Sequence, residues 1–287
     1  MKHGMFLLAL FAASVVAHAQ QGITADTVLW ITPGTGQNAG QAPAFFPHNI
    51  FGIPDPRARD TIPSTDPREI CSIGLGGEIV IGFKNRAIVD GPGVDFVVFE
   101  NAFHYGNGRL YAEPARVDVS ADGMSWIAFA FDSASLAGCA GVTPTTGNDP
   151  FDPSVSGGDG FDLASIGVDT VRWIRLTDVT RIILDDRNHR YYDPTLTGAD
   201  IDAVVGIHYV DAPSSSSAVV IPRSTTIQLS VAHGTGTYTV HDIAGRLLHR
   251  EELQQGIHER DVSSLVVTTA LVTLATTDGI HTVKVLR

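Results

Sequence analysis

The chain has 287 residues and a net charge of −12, from 19 Lys and Arg against 31 Asp and Glu. That balance excludes nucleic acid as a partner, since its phosphates are met by clustered Lys and Arg. Charged residues are sparse while Gly (29) and Pro (15) are plentiful, which fits turn-rich β-structure and not a helical bundle.

The chain opens MKHGMFLLALFAASVVAHAQ, with Lys2 ahead of an apolar stretch from Met5 to Val16 and Ala17-His18-Ala19 in the small-x-small cleavage pattern. Residues 1–19 are therefore expected to be a secretory signal peptide. The apolar stretch is shorter than the roughly 18 residues a membrane span needs, and no later segment reaches that length, so no transmembrane segment is expected in the mature chain. Export to an oxidising space permits a disulfide between the only two cysteines, Cys71 and Cys139.

Short runs rich in Val, Ile, Phe and Trp follow, divided by turn residues. They predict strands over Thr27 to Thr32, Glu78 to Phe83, Asp95 to Glu100, Ala115 to Ser120, Trp126 to Phe131, Thr170 to Asp178 and Ala203 to Val210. Ala121-Asp122-Gly123 supplies a hairpin turn between two of them. No long stretch repeats its apolar residues every 3.6 positions, so little helix is expected. FVVF at Phe96 to Phe99 is apolar on both faces, which requires burial between layers. The fold class expected is all-β: a jelly-roll β-sandwich with a second, small C-terminal β-sandwich.

DAPSSSSAVVIP, from Asp211 to Pro222, reads as a Ser/Pro linker over residues 212–222. It divides a first domain, residues 20–211, from a tail module, residues 223–287. The charge divides there too: residues 20–211 hold 12 Lys and Arg against 25 Asp and Glu, whereas 212–287 hold 6 against 6. In the tail, strands are predicted over Ile227 to Val231, Gly236 to Asp242, Leu247 to Glu252, Leu265 to Ala275 and His281 to Leu286.

Two resemblances add to this reading. TYTVHDIAGRLLHRE (Thr237 to Glu251) and the terminal DGIHTVKVLR (Asp278 to Arg287) resemble the C-terminal sorting domain of the type IX secretion system, which implies passage across an outer membrane by that machinery. The family's Gly and Tyr of the penultimate strand are replaced here by VVTTALVTL, Val266 to Leu274. The first domain resembles a family of secreted bacterial cell-surface proteins. The resemblance rests on PAFFPHNIFGIPD (Pro43 to Asp55), SIGLGGEIVIGF (Ser72 to Phe83), DGPGVDFVVFENAF (Asp90 to Phe103), EPARVDVSADGMSW (Glu113 to Trp126), GGDGFDLASIG (Gly157 to Gly167), VRWIRLTDV (Val171 to Val179) and DIDAVVGIHY (Asp200 to Tyr209). It implies a discoidin-like or galactose-binding-like jelly roll and brings no defined activity.

Acidic residues gather at predicted strand ends and Gly-rich turns: Asp90, Asp95, Glu100 with Asn101, Asp159, Asp162, Asp178, Asp200 and Asp202. Calcium takes six to eight oxygen ligands, and glycine-bearing loops let carbonyls converge on it. Glu100, Asp159, Asp178 and Asp202 are the expected calcium ligands, brought to one rim of the sandwich. Turn capping, in which Asp and Asn accept local backbone amides, accounts for the same residues without a metal. His104, Tyr105 and Arg109, with Asn101 and Asn49, are candidate ligand-binding residues, because aromatic faces and an Arg fork suit sugar rings and anionic groups.

Catalytic motifs are missing. There is no G-x-S-x-G elbow, H-E-x-x-H pair or Walker A loop, and Gly34, Gly36 and Gly40 miss the dinucleotide spacing by one residue. The expectation is an exported, non-catalytic protein that binds carbohydrate or another extracellular ligand, with calcium as cofactor. A polysaccharide hydrolase or lyase built on paired carboxylates stands as the alternative.

Overall fold

The computed structural model describes residues 22–212, 217–220, 225–265, 269–276 and 279–286, and the predicted signal peptide lies outside them. The strands of the first part are β1 (Ile23–Thr24), β2 (Thr27–Thr32), β3 (Cys71–Ser72), β4 (Glu78–Gly82), β5 (Arg86–Val89), β6 (Phe96–Glu100), β7 (Phe103–Tyr105), β8 (Arg109–Tyr111), β9 (Ala115–Ser120), β10 (Ile127–Ala128), β11 (Asp159–Phe161), β12 (Thr170–Val171), β13 (Trp173–Asp178), β14 (Asp200–Gly206) and β15 (Tyr209–Asp211). Helix α1 (Arg181–Leu184) is a single turn. No helix among the described residues is long and apolar enough to cross a membrane.

One sheet runs β1-β14-β6-β11, with β3 also on β14, and a second runs β10-β9-β13-β4-β2. They face each other across a core built from alternate residues: Phe96 and Val98 of β6 and Val204 of β14 from one side, Ile81, Val119 and Ile174 from the other. The residues between them point outward and are buried as well. Val97, Phe99, Ala203 and Val205 lie under Val94 and Phe151, while Leu29, Trp30 and Val80 lie under Trp126 and Trp173. Each such apolar side chain contributes about 1.5–3 kcal/mol by leaving water. This double cover is why Phe96–Glu100 is apolar on both faces. A third sheet, β12-β5-β15, and the separate hairpin β7-β8 complete this part.

Most predicted strands appear, but three are cut differently. The run Thr170 to Asp178 breaks at Arg172 into β12 and β13, which join different sheets. Trp126 to Phe131 contracts to β10, and the last run splits into β14 and β15.

The tail holds β16 (Ser217–Val220), β17 (Thr226–Asp242), β18 (Leu247–Asp261), β19 (Thr269–Thr276) and β20 (Gly279–Leu286), which pair only with one another among the described residues. β17 pairs with β18 along most of its length, and its other edge takes β16 first and β19 later. The ladder shifts register between Val231 and Thr235, opposite Gly256, and there the sheet folds over. β16 comes to lie near β20 without pairing with it. Ile227, Leu229, Tyr238, Val240, Val272 and Val285 fill the space between the two halves. Ser217–Val220 was assigned to the linker by its serines and prolines. It is instead a strand, registered on Ile227–Ser230, because this Val-bearing stretch lies beside an unpaired edge of β17.

Candidate functional site

β6 and β14 lie side by side, and the ladder sets Ile201 opposite Glu100 and Asp200 opposite Ser72 of β3. Sheet pairing thus gathers acids distant in sequence. Glu113 precedes β9, whose Ala115 faces Asp178 of β13. Glu100, Glu113, Asp178 and Asp200 are all buried, at 2%, 4%, 4% and 8% exposure.

The segment leading into β14 holds this group together. Four successive amides, Thr197 to Asp200, donate to carboxylates. Thr197 N and Gly198 N reach Glu113 Oε1, the latter at 2.8 Å. Ala199 N reaches Asp178 Oδ2 and Asp200 N reaches Glu100 Oε1, both at 2.9 Å. Gly198 must be glycine: its φ is +105° and a Cβ would meet the carbonyl carbon of Gly74 at 2.4 Å. Gly141, at φ +82°, is constrained likewise: a Cβ would meet the carbonyl oxygen of Glu113 at 2.6 Å and lie 3.2 Å from Glu100 Oε2.

The acids are unequally satisfied. Asp178 also accepts from Gly76 N at 2.8 Å and from Thr180 Oγ1 at 2.6 Å, so it is fully engaged. Glu100 Oε2, Asp200 Oδ1 and Ser72 Oγ are buried and have no partner. Burial, reinforced by the Glu113 and Asp200 charges, pushes the Glu100 carboxyl well above the usual carboxylate range. Burial and then Asp200 push Glu113 up to about 8. Asp200 and Asp178 are raised mainly by burial too.

Glu113 and Asp200 border a crevice of about 360 Å³, together with Asn101, Thr197 and the rings of Phe103 and Tyr111. No Lys, Arg or His lines it among the described residues. The hairpin β7-β8 supplies the aromatic wall: Phe103 stands opposite Tyr111, and their rings stack with centroids 5.0 Å apart and planes at 25°. Tyr111 is pinned by its hydroxyl, which donates to Thr195 O at 2.9 Å.

The expected calcium ligands do not form one coordination sphere. Asp159 accepts from Val142 N at 3.0 Å and Thr143 N at 3.3 Å, beside a second cavity of about 350 Å³. Asp178 is saturated as described. The ladder slips between Ile201 and Ala203, so Asp202 is the extra residue of a bulge. It turns to accept from Asp55 N, at 3.2 and 3.0 Å, and burial pushes it up to about 8. Glu100 alone of the four keeps a free buried oxygen.

Of the expected ligand-binding residues, Asn101 lines the crevice while its amide pairs with both backbone groups of Ser64 at 2.7 Å. His104, Tyr105 and Arg109 sit on the hairpin and brace it. His104 Nδ1 lies 2.8 Å from Asp60 Oδ1, Tyr105 donates to Asp193 at 2.7 Å, and Arg109 donates to Tyr192 O while lying over the Tyr105 ring. Asn49 is a correction: it is buried, with Nδ2 directed at the carbonyls of Gly40, Pro67 and Ile70, and so ties down its loop.

The expected disulfide is a second correction, since Cys71 and Cys139 are separate buried thiols. Cys71 is on β3 and Cys139 borders the cavity of Asp159 on β11, with β14 and β6 between those strands. Burial pushes both thiols up to about 12, which leaves neither as a nucleophile.

Glu113 and Asp200 are the crevice acids. Asp200 stands among the strand-end acids of the sequence, whereas Glu113 was missed; a charged residue before proline at a strand start was its only signal. A further trio, Asp90, Asp95 and Asp162, brings oxygens within 4.8 Å of one another. Asp95 there accepts from Gly91 N, Leu163 N and His208 Nδ1, and Asp162 caps the turn Leu163–Ile166.

No family model matches the chain, and no curated protein matches it. Solved structures of β-glucuronidase from Ruminococcus gnavus align at low similarity. The complex with uronic deoxynojirimycin gives 10% identity and a TM-score of 0.21 over 92% of this chain and 44% of that one. The complex with D-glucuronic acid gives 10% and 0.19 over 92% and 44%, and the apo structure 11% and 0.19 over 81% and 38%. The chain spans less than half the length of those enzymes. Superpositions this loose carry no argument about activity.

Proposed function

We propose that this is an exported, non-catalytic protein of the bacterial cell surface that binds carbohydrate in the crevice between the β7-β8 hairpin and the start of β14. In this reading the sandwich is a galactose-binding-like jelly roll, and the tail is a sorting module for type IX secretion. The observation that carries it is the stacked pair Phe103 and Tyr111 beside the carboxyls of Glu113 and Asp200. Aromatic faces take the apolar side of a sugar ring, while carboxyls accept from its hydroxyls or, when protonated, donate to them.

The test is a glycan array followed by calorimetry on the full mature chain. Saturable binding that falls at least tenfold in Phe103→Ala supports the reading; a flat array, or binding indifferent to Phe103, overturns it. A hydrolase reading is favoured by one feature, the Glu113 carboxyl at about 8 beside Asp200, an acid still protonated at neutral pH. Release of reducing ends from a bound polysaccharide, abolished in Glu113→Gln, would select that alternative.

A further inference from the structure

The acids beneath the crevice have more lone pairs than donors. The four amides of Thr197 to Asp200 are spent on Glu113, Asp178 and Glu100, and none reaches the carboxyl of Asp200 itself. Glu100 Oε2, Asp200 Oδ1 and Ser72 Oγ stay unpartnered although each residue is more than nine-tenths buried. Ser72 stands directly across the ladder from Asp200. Buried oxygens without donors cost free energy until a proton, a water or a cation meets them.

We infer that a hard divalent cation of calcium's class binds at the floor of the crevice, held by Asp200 and Glu113 with Ser72 Oγ, and with the Glu100 charge behind it. This rests on the crevice being the binding site. The donor chemistry selects the class. The three unpartnered atoms of Glu100, Asp200 and Ser72 are all oxygens, and no imidazole lines the crevice to draw a transition metal. The cation's remaining positions open into the crevice, where hydroxyls of a carbohydrate lying against Phe103 would complete the shell. The site is distinct from the set expected from sequence: it shares only Glu100, which supplies charge and is no direct ligand.

The experiment is calcium calorimetry and thermal melting of the full mature chain after EDTA treatment. Calcium at a hundredfold excess over Kd is expected to raise the midpoint by about 5 °C. Asp200→Asn is expected to weaken calcium binding at least tenfold, and Glu113→Gln, read alongside it in case one variant fails to fold, does the same. Asp162→Asn, in the separate acidic trio, leaves binding unchanged. Absence of saturable binding at millimolar calcium overturns the inference. So does binding that survives both crevice substitutions, or binding that disappears in Asp162→Asn. Glycan binding that persists in EDTA removes the cation and leaves the binding function standing. Calcium binding without any glycan partner does the reverse.

Discussion

Strand β6 carries a buried acid at each end, and the two are finished differently. Asp95, just ahead of its first residue, accepts from Gly91 N, Leu163 N and His208 Nδ1 at 2.7–2.8 Å. Glu100, its last residue, accepts one amide, and its other oxygen has no partner. Both are buried, at 0% and 2% exposure. Burial of a carboxylate therefore does not by itself mark a site. An acid whose lone pairs are all taken is architecture, whereas one with a lone pair left over is open to a ligand.

The largest effect is expected from breaking the finished end. Asp95→Ala strands two backbone donors and His208, and is expected to cost about 3–5 kcal/mol in urea denaturation. Asp202 sharpens the contrast, because a single amide serves its two oxygens. Its carboxyl ionises near 3.8 when unfolded and at about 8 in the fold. Between those values the folded chain keeps a proton that the unfolded chain has lost, so stability falls as pH rises from about 4 to 8 and levels off beyond. Asp202→Asn is expected to flatten that decline by about 3 kcal/mol, read from denaturation midpoints across the window. At the unfinished end, Glu100→Gln keeps the acceptor for Asp200 N and puts a neutral amide in place of a carboxyl that burial keeps from ionising. In EDTA it is expected to stabilise the chain by about 1–2 kcal/mol, the opposite sign to Asp95→Ala. The smallest effect is none: a reducing agent leaves the melting midpoint where it was, and both thiols are alkylated only after denaturation, since Cys71 and Cys139 are unpaired.

Much of the strand layout was legible, because it is a local property of composition. Thr27–Thr32 and Ala115–Ser120 have the expected bounds to the residue, and the two-faced apolarity of Phe96–Phe99 correctly required cover on both sides. The site was less legible, because it is made by pairing. The Asp200 amide reaches Glu100 across 100 residues of sequence, and Thr197 reaches Glu113 across 84. No spacing rule encodes those contacts. Alternation alone would set Asp200 and Asp202 on one face, and only the bulge after Ile201 separates them. Asn49 misled because an exposed loop asparagine and a buried one clamping three carbonyls read alike in sequence.

The aromatic wall belongs to neither large sheet: β7 and β8 pair only with each other and are braced from outside by Tyr192 and Asp193. If the crevice binds carbohydrate as proposed, selectivity and foldability are thereby written into different stretches of the chain. A library randomised over the hairpin would sample new preferences against a constant acidic floor, an exchangeable cassette on an invariant chassis.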